Sequence, residues 1–206
     1  MIDLPPVTPH VEIVVASEGM SKGLAQTEGG QALGRAELAI GDFHVGGQVK
    51  NISSPSADAE SAAFVGFRTR AGGFDLGGSI SYKRWLWPVA PADDEAVEIG
   101  LSASRTFGRV TPKISLTYSP DELGTTGESL YLEGGASVRL GPAITLGASA
   151  GRRERALQPD YTAFNAGATY MPDRRFSADL RYYDTDRSGL GRAYRPRVVL
   201  ALRARF

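Results

Sequence analysis

Apolar and polar residues alternate nearly one for one along most of this chain, and no other feature constrains its fold as strongly. Successive side chains of a β-strand point to opposite faces, so a period of two marks a strand with two different surroundings. From residue 43, FHVGGQVK sets Phe43, Val45, Gly47 and Val49 against His44, Gly46, Gln48 and Lys50. From 74, FDLGGSISYK sets Phe74, Leu76, Gly78, Ile80 and Tyr82 against Asp75, Gly77, Ser79, Ser81 and Lys83. The same division recurs from 97 (VEIGLSAS), from 130 (LYLEGGASVRL), from 176 (FSADLRYYD) and in RPRVVLALRARF, residues 195–206. Helical spacing is scarce, so the expectation is an all-β chain.

Turn signals divide these runs. GDF at 41, AGGF at 71, FGRV at 107, LGPA at 140 and MPDRR at 171 are short and recur every 30 to 36 residues. Longer polar stretches lie between them: NISSPSADAES at 51, WPVAPADDEA at 87, SPDELGTTGES at 119 and DTDRSGLGRAYRP at 184. Hairpins with alternately short and long connections follow. About twelve strands are predicted, starting near Val11, Gln31, Phe43, Ser61, Phe74, Ala96, Val110, Glu128, Ala143, Asp160, Arg175 and Arg195. Residues 1–10 read as an N-terminal periplasmic tail and 11–206 as one barrel, with no linker or second domain.

Two architectures use short alternating strands: a soluble sandwich or lipocalin with the apolar face inside, and an outer-membrane barrel with that face outside. Composition does not exclude the second. A mean hydropathy of −0.19 and the lack of an apolar run near the roughly 18 residues of a membrane helix fit strands that meet lipid with every other residue. Four features favour the membrane barrel. Short and long connections alternate. Aromatics on the apolar face, Phe43, Phe74, Phe107, Tyr170, Phe176 and Phe206, gather beside the short turns, as an interfacial girdle does. The apolar face is rich in Ala and Gly, which lipid tolerates and a close-packed core would replace with larger groups. The other face mixes Gly, Ser and Thr with long charged side chains. The fold expected is therefore a closed antiparallel transmembrane β-barrel with short periplasmic turns and longer extracellular loops. Hydrocarbon leaves no sheet edge unpaired, so the strand near VEIVVAS should pair with RVVLALRARF. Phe206 then sits at the periplasmic interface, in a strand like those that bacterial outer-membrane assembly machinery recognises.

The chain has no cysteine, which rules out thiolate sites and disulfides, and its formal net charge is +0, so no basic field points to nucleic acid. MIDLPPVTPH lacks a basic segment followed by an apolar one, so an exported protein is expected here in mature form. The location expected is the bacterial outer membrane, with its lipids and lipopolysaccharide as surroundings.

Three stretches, GMSKGLAQTEGGQAL, LTYSPDELGTTGESLYLEGGASVRL and SADLRYYDTDRSG, resemble the TorF family of putative porins of proteobacteria. The resemblance runs from about Val11 to Phe206. Where that family has an aromatic and an arginine before a glycine, this chain has Met20 and Lys22 before Gly23. The resemblance implies an outer-membrane barrel acting as a pore, and supplies neither catalytic residues nor a solute.

By parity the lumen receives Glu12, Arg35, Glu37, Gln48, Lys50, Arg68, Arg70, Asp75, Lys83, Glu98, Lys113, Glu133, Arg139, Asn165, Asp179, Arg181, Arg203 and Arg205, with bases in the majority. The pore-lining set is taken as Lys50, Arg68, Arg70, Lys83, Glu98, Lys113, Glu133, Arg139, Asp179, Arg181 and Arg203. Barrels of about eight strands are filled by side chains and those of roughly 16 to 18 hold an aqueous channel. Twelve leaves both outcomes open, a narrow pore or a lumen closed by ion pairs. The expected function is passive diffusion of small polar solutes with a mild preference for anions. The alternative is a structural or adhesive barrel, closed inside, whose loops bind a partner. Arg84 and Arg105 fall on the lipid side, where they can snorkel, and Arg84 beside Trp85 and Trp87 could meet lipopolysaccharide phosphates. Asp93, Asp94 and Glu95 could hold Ca²⁺, but the spacing is no EF-hand and solvated loop charge fits better. No cofactor or metal is expected. His10 and His44 are the only histidines and neither carries a nucleophile signature, so the chain reads as a non-enzyme.

Overall fold

The computed structural model describes residues 6–54, 56–88 and 93–206, and among them nearly all regular structure is strand. Twelve long strands are β1 Val7–Ala16, β4 Gln31–Ile40, β5 Phe43–Ser54, β6 Ala57–Ala71, β7 Phe74–Leu86, β8 Glu95–Ser104, β9 Val110–Glu122, β10 Gly127–Arg139, β11 Ile144–Arg155, β12 Tyr161–Tyr170, β13 Phe176–Thr185 and β14 Arg197–Arg205. Two tiny strands, β2 Met20–Ser21 and β3 Leu24–Ala25, form a separate hairpin. The long strands close into one barrel in the order β1-β14-β13-β12-β11-β10-β9-β8-β7-β6-β5-β4. Every neighbour pair is antiparallel, so each strand joins the next by a hairpin except at the β1–β14 seam. There Glu12 faces Arg205 and Ala16 faces Ala201, and Val11 and Phe206 exchange both backbone hydrogen bonds at 2.9 Å. The closed ring leaves no ladder edge, the condition hydrocarbon imposes.

The turns at one end are tight for a local reason. Gly72 (φ +59°) and Gly73 (φ +79°) alone join β6 to β7. A two-residue hairpin with both φ positive is the type I′ turn, whose twist matches that of the strands and which glycine adopts without a Cβ penalty. At the other end, several stretches expected as loops are strand. β5 and β6 pair out to Ser54 and Ala57, and β9 and β10 out to Glu122 and Gly127. Beyond the hydrocarbon neither face need be apolar, so the ladder continues through polar residues that show no alternation of hydropathy. The β13–β14 connection carries two 3₁₀ turns, Ser188–Leu190 and Arg192–Tyr194.

Strand starts lie within two residues of expectation except for β1 and β6, each of which begins four residues early, at Val7 and Ala57. The expected tail 1–10 is therefore strand from Val7 onward. Val7, Thr8, Pro9 and His10 pair with Ile40, Ala39, Leu38 and Glu37 of β4. Pro9 is tolerated because it lies beyond the end of β14, where β1 has a single neighbour.

The outside is a continuous apolar belt. Val11, Ile13, Val15, Val45, Val65, Ile80, Leu101, Ile114, Leu146, Leu180, Leu200 and Leu202 are all exposed. A patch this broad is far beyond what a water-soluble monomer shows; it is the face of a transmembrane barrel. Phe43, Phe74, Phe107, Tyr170, Phe176 and Phe206 stand exposed at the short-turn end of the belt. Arg105 lies there with its guanidinium 5.1 Å from the Phe74 ring and 5.0 Å from Phe107, so its charge rests on aromatic faces at the border of the belt. What is buried lies inside, and much of it is polar: Glu37, Glu60, Ser119, Arg153 and Thr185 accompany Phe64, Tyr131 and Tyr161.

Candidate pore and the hairpin that crosses it

The connection between β1 and β4, residues 17–30, does not project from the barrel. Its centre is the β2–β3 hairpin, in which Met20 pairs with Ala25 and Ser21 with Leu24. Lys22 (φ +49°) and Gly23 (φ +82°) form its two-residue turn, again with the positive φ pair of type I′. The root is tied down: Gly19 N–H donates to Thr27 Oγ1 and Gln26 N–H to Gly19 O, both at 2.7 Å. Ser53 N–H donates to Gln26 O at 2.7 Å. Lys50 Nζ donates to Gln26 Oε1 at 2.6 Å, and Arg192 Nη1 to Thr27 O at 3.0 Å.

The tip reaches into the barrel and meets its far side. Lys22 Nζ lies 2.6 Å from Glu98 Oε2 on β8 and 2.7 Å from Glu122 Oε1 on β9. In the ring of twelve, β9 stands diametrically opposite β1, so this one side chain ties a connection rooted on β1 to the facing wall. The Tyr161 hydroxyl donates to Lys22 O at 2.7 Å. Gly23 packs so closely on β12 that a Cβ there would lie 2.1 Å from the Ala163 Cβ; no other residue type fits that place and that φ together.

The crossing splits the lumen. A cavity of about 520 Å³ on the β9–β13 side is lined by Met20 to Gly23 together with Lys113, Tyr131, Glu133, Asn165, Arg181 and Tyr183. One of about 550 Å³ on the β4–β9 side is lined by Ser21 with Arg35, His44, Lys50, Glu60, Phe64, Arg68, Lys83 and Glu98. Toward the long loops, Leu24, Ala25 and Gln26 floor a vestibule of about 230 Å³ that also takes in Trp85, Glu122, Arg153 and Arg155.

Ion pairs line the wall at the hairpin's level. Lys50 Nζ is 3.2 Å from Glu60 Oε1 and Lys83 Nζ 2.7 Å from Glu98 Oε2. Arg153 pairs with Glu122 and donates to the Tyr161 hydroxyl at 3.2 Å. Nearer the short turns, Glu37 accepts from Arg68 at 2.7 Å and from Arg35 at 2.9 Å, and Arg35 stacks 4.0 Å from the Phe64 ring centre. Asp179 and Asn165 hold Arg181, at 3.2 and 2.7 Å.

The structure brings Lys50, Lys83 and Glu98 together at the hairpin, sets Arg68 in the same cavity, and places Lys113, Glu133 and Arg181 in the other. Asp179 positions Arg181. Arg70, paired with Asp75 at 2.7 Å, and Arg203, paired with Glu12 at 3.3 Å, lie toward the short-turn mouth. Arg139 is exposed at the same end. The residues that parity did not single out are Lys22, Glu60, Glu122, Tyr131, Arg153 and Tyr161.

Arg84 lies 3.7 Å from Asp94 and 3.6 Å from Glu95, so its charge is matched within the protein. Asp94 and Glu95 thus face a cation, and among the described residues no group of three His, Asp or Glu assembles as a metal site; residues 89–92 of that loop lie outside the described residues. Trp85 turns into the vestibule, while Trp87 is exposed. His44 packs on Phe64 with ring centres 6.0 Å apart, and its Nδ1 is buried without a hydrogen-bond partner.

A closed twelve-strand antiparallel barrel, apolar outside and ionic inside, defines the transmembrane β-barrel class. Solved structures bear this out at the level of fold. The KdgM porin superposes with a TM-score of 0.62 at 10% identity, over 96% of this chain and 98% of that one. The NanC porin gives 0.62 at 8% identity over 97% and 99%. An outer membrane channel from Pseudomonas putida F1 gives 0.59 at 12% identity over 97% and 95%. The chain belongs to the family described as "Bacterial protein of unknown function (Gcw_chp)", whose model matches residues 5–200. No curated protein matches it in sequence.

Proposed function

We propose that this barrel is an outer-membrane channel for passive diffusion of small hydrophilic solutes, with a mild preference for anions. The observation that carries the reading is the surplus of bases in both cavities beside the hairpin. Arg35, Lys50, Arg68 and Lys83 face Glu37, Glu60 and Glu98 on one side, and Lys22, Lys113 and Arg181 face Glu133 and Asp179 on the other, one base in excess on each. A narrow aqueous section lined by an excess of one charge raises a barrier to ions of that sign. The apolar belt and the aromatics beside the short turns support a membrane location, with those turns on the periplasmic side. The three stretches that resemble the TorF family fit the same reading, as does the likeness of fold to proteins named as porins and channels.

The test is current through the purified protein in a planar bilayer under a salt gradient. Discrete steps with a reversal potential on the anion side are expected, and a cation-side potential would overturn the preference. A second reading is favoured by the hairpin itself. Its tip is bonded to the opposite wall, which suits a closed barrel that serves as an anchor for partner-binding loops. Folded protein that passes no current would support that reading over the channel.

A further inference from the structure

We propose that Lys22 is the selectivity residue of the lumen: its bridge to Glu98 and Glu122 fixes the hairpin across the passage and supplies the surplus positive charge at the level where the hairpin crosses. The inference rests on the channel reading and adds to it the residue responsible. Three observations converge.

The first is reach. Glu122 belongs to the strand opposite β1 and Glu98 to the strand beside it, so the ammonium group spans the lumen from its own root. The second is charge. On the wall at this level Lys50 pairs with Glu60, Lys83 with Glu98 and Arg153 with Glu122, and those six groups cancel. Lys22 is the seventh, and the excess cation is the one the hairpin brings. The third is grip. The tip is held by the Tyr161 hydrogen bond to Lys22 O, by Gly23 against Ala163 and by the ammonium. Only the last is ionic.

The same geometry describes the solute. A lysine ammonium has three N–H donors, and two are engaged by Glu98 and Glu122, 2.6 and 2.7 Å away. One donor is left for a passing anion, next to two carboxylates that repel it. Such a site holds a compact monovalent anion, a small carboxylate, weakly and releases it, which conduction requires. A polyanion would have to displace both glutamates at once.

The experiment compares wild type with Lys22→Gln, Lys22→Glu, Lys22→Arg and a chain in which residues 20–25 are replaced by two glycines. Each is reconstituted in planar bilayers under a potassium acetate gradient after a gel band-shift assay shows it folded. Lys22→Gln should move the reversal potential toward zero and raise the step conductance by roughly twofold as the tip loosens. Lys22→Glu should carry the potential to the cation side, because three carboxylates then face Lys83 and Arg153. Lys22→Arg keeps the charge and should keep the wild-type potential. The shortened chain should conduct most. Wild-type potential and conductance in both Lys22→Glu and the shortened chain would overturn the inference while leaving the channel intact. Silence of every folded variant, the shortened one included, would overturn the channel reading itself.

Discussion

Glu122 holds two cations at once, Lys22 from the hairpin and Arg153 from β11, and both side chains are nine-tenths buried. Removing it leaves Arg153 without its counterion and Lys22 with Glu98 alone, and breaking a buried pair from one side costs several kcal/mol. Glu122→Ala is expected to destabilise the barrel by about 3 kcal/mol, read as a lowered denaturant midpoint in detergent micelles. A lumenal glycine tests the same region through shape. At Gly151 a Cβ would lie 2.3 Å from the Tyr131 hydroxyl and 2.4 Å from its Cζ, so Gly151→Val should expel that ring from its seat and lower the midpoint as well. At this scale legibility followed parity. Lys50, Lys83, Glu98, Lys113, Glu133 and Arg181 were placed in the lumen because each sits mid-strand opposite an apolar residue. Glu122 and Lys22 were not, because one ends a strand and the other tops a turn, and alternation says nothing about where such residues point.

Among the elements, the tight turns and the inner hairpin share one conformation and put it to different ends. Gly72 and Gly73 reverse the chain at the edge of the apolar belt with both φ positive. Gly73→Val would place a β-branched residue where φ is +79°, at about 2 kcal/mol; slower folding into lipid vesicles is expected, followed by the gel band shift. The long strands could be read ahead of the structure because each repeats its alternation over at least nine residues. The β2–β3 hairpin could not. Its strands are two residues each, too short for any period to register. Its inward course is set by tertiary bonds to β8, β9 and β12 that leave no mark on local sequence. Only the turn chemistry of Lys22–Gly23 was there to be seen, and it fixes the bend without fixing its direction. The outward ends of β5, β6, β9 and β10 escaped notice for a related reason, since outside hydrocarbon a ladder needs no apolar face.

For the whole molecule, the belt sets both tolerance and orientation. Leu200 is exposed on the outside of β14, and Leu200→Arg puts a charge into acyl chains, at about 3 kcal/mol if the site lies near the bilayer midplane. The change should abolish or retard insertion into vesicles, whereas Arg105, resting on Phe74 and Phe107 at the rim, is tolerated. Sidedness is testable because the chain has no cysteine of its own. In the proposed orientation Ser56→Cys should react with an impermeant maleimide on intact cells and Gly72→Cys should not; the reverse pattern would invert the barrel. The closed ring itself was legible, since alternating hairpins in lipid have no other stable end. That ring has one seam. Every other neighbouring pair is consecutive in the chain or separated only by the folded 17–30 connection, and can zip locally. Glu12 and Arg205, by contrast, meet across 193 residues, and contacts that distant form late. Until they do, the nascent curved sheet carries two raw flanks of unpaired amides, and the inner hairpin can reach its seat from the side; once the cylinder is sealed, the mouth at the long-loop end is its way in.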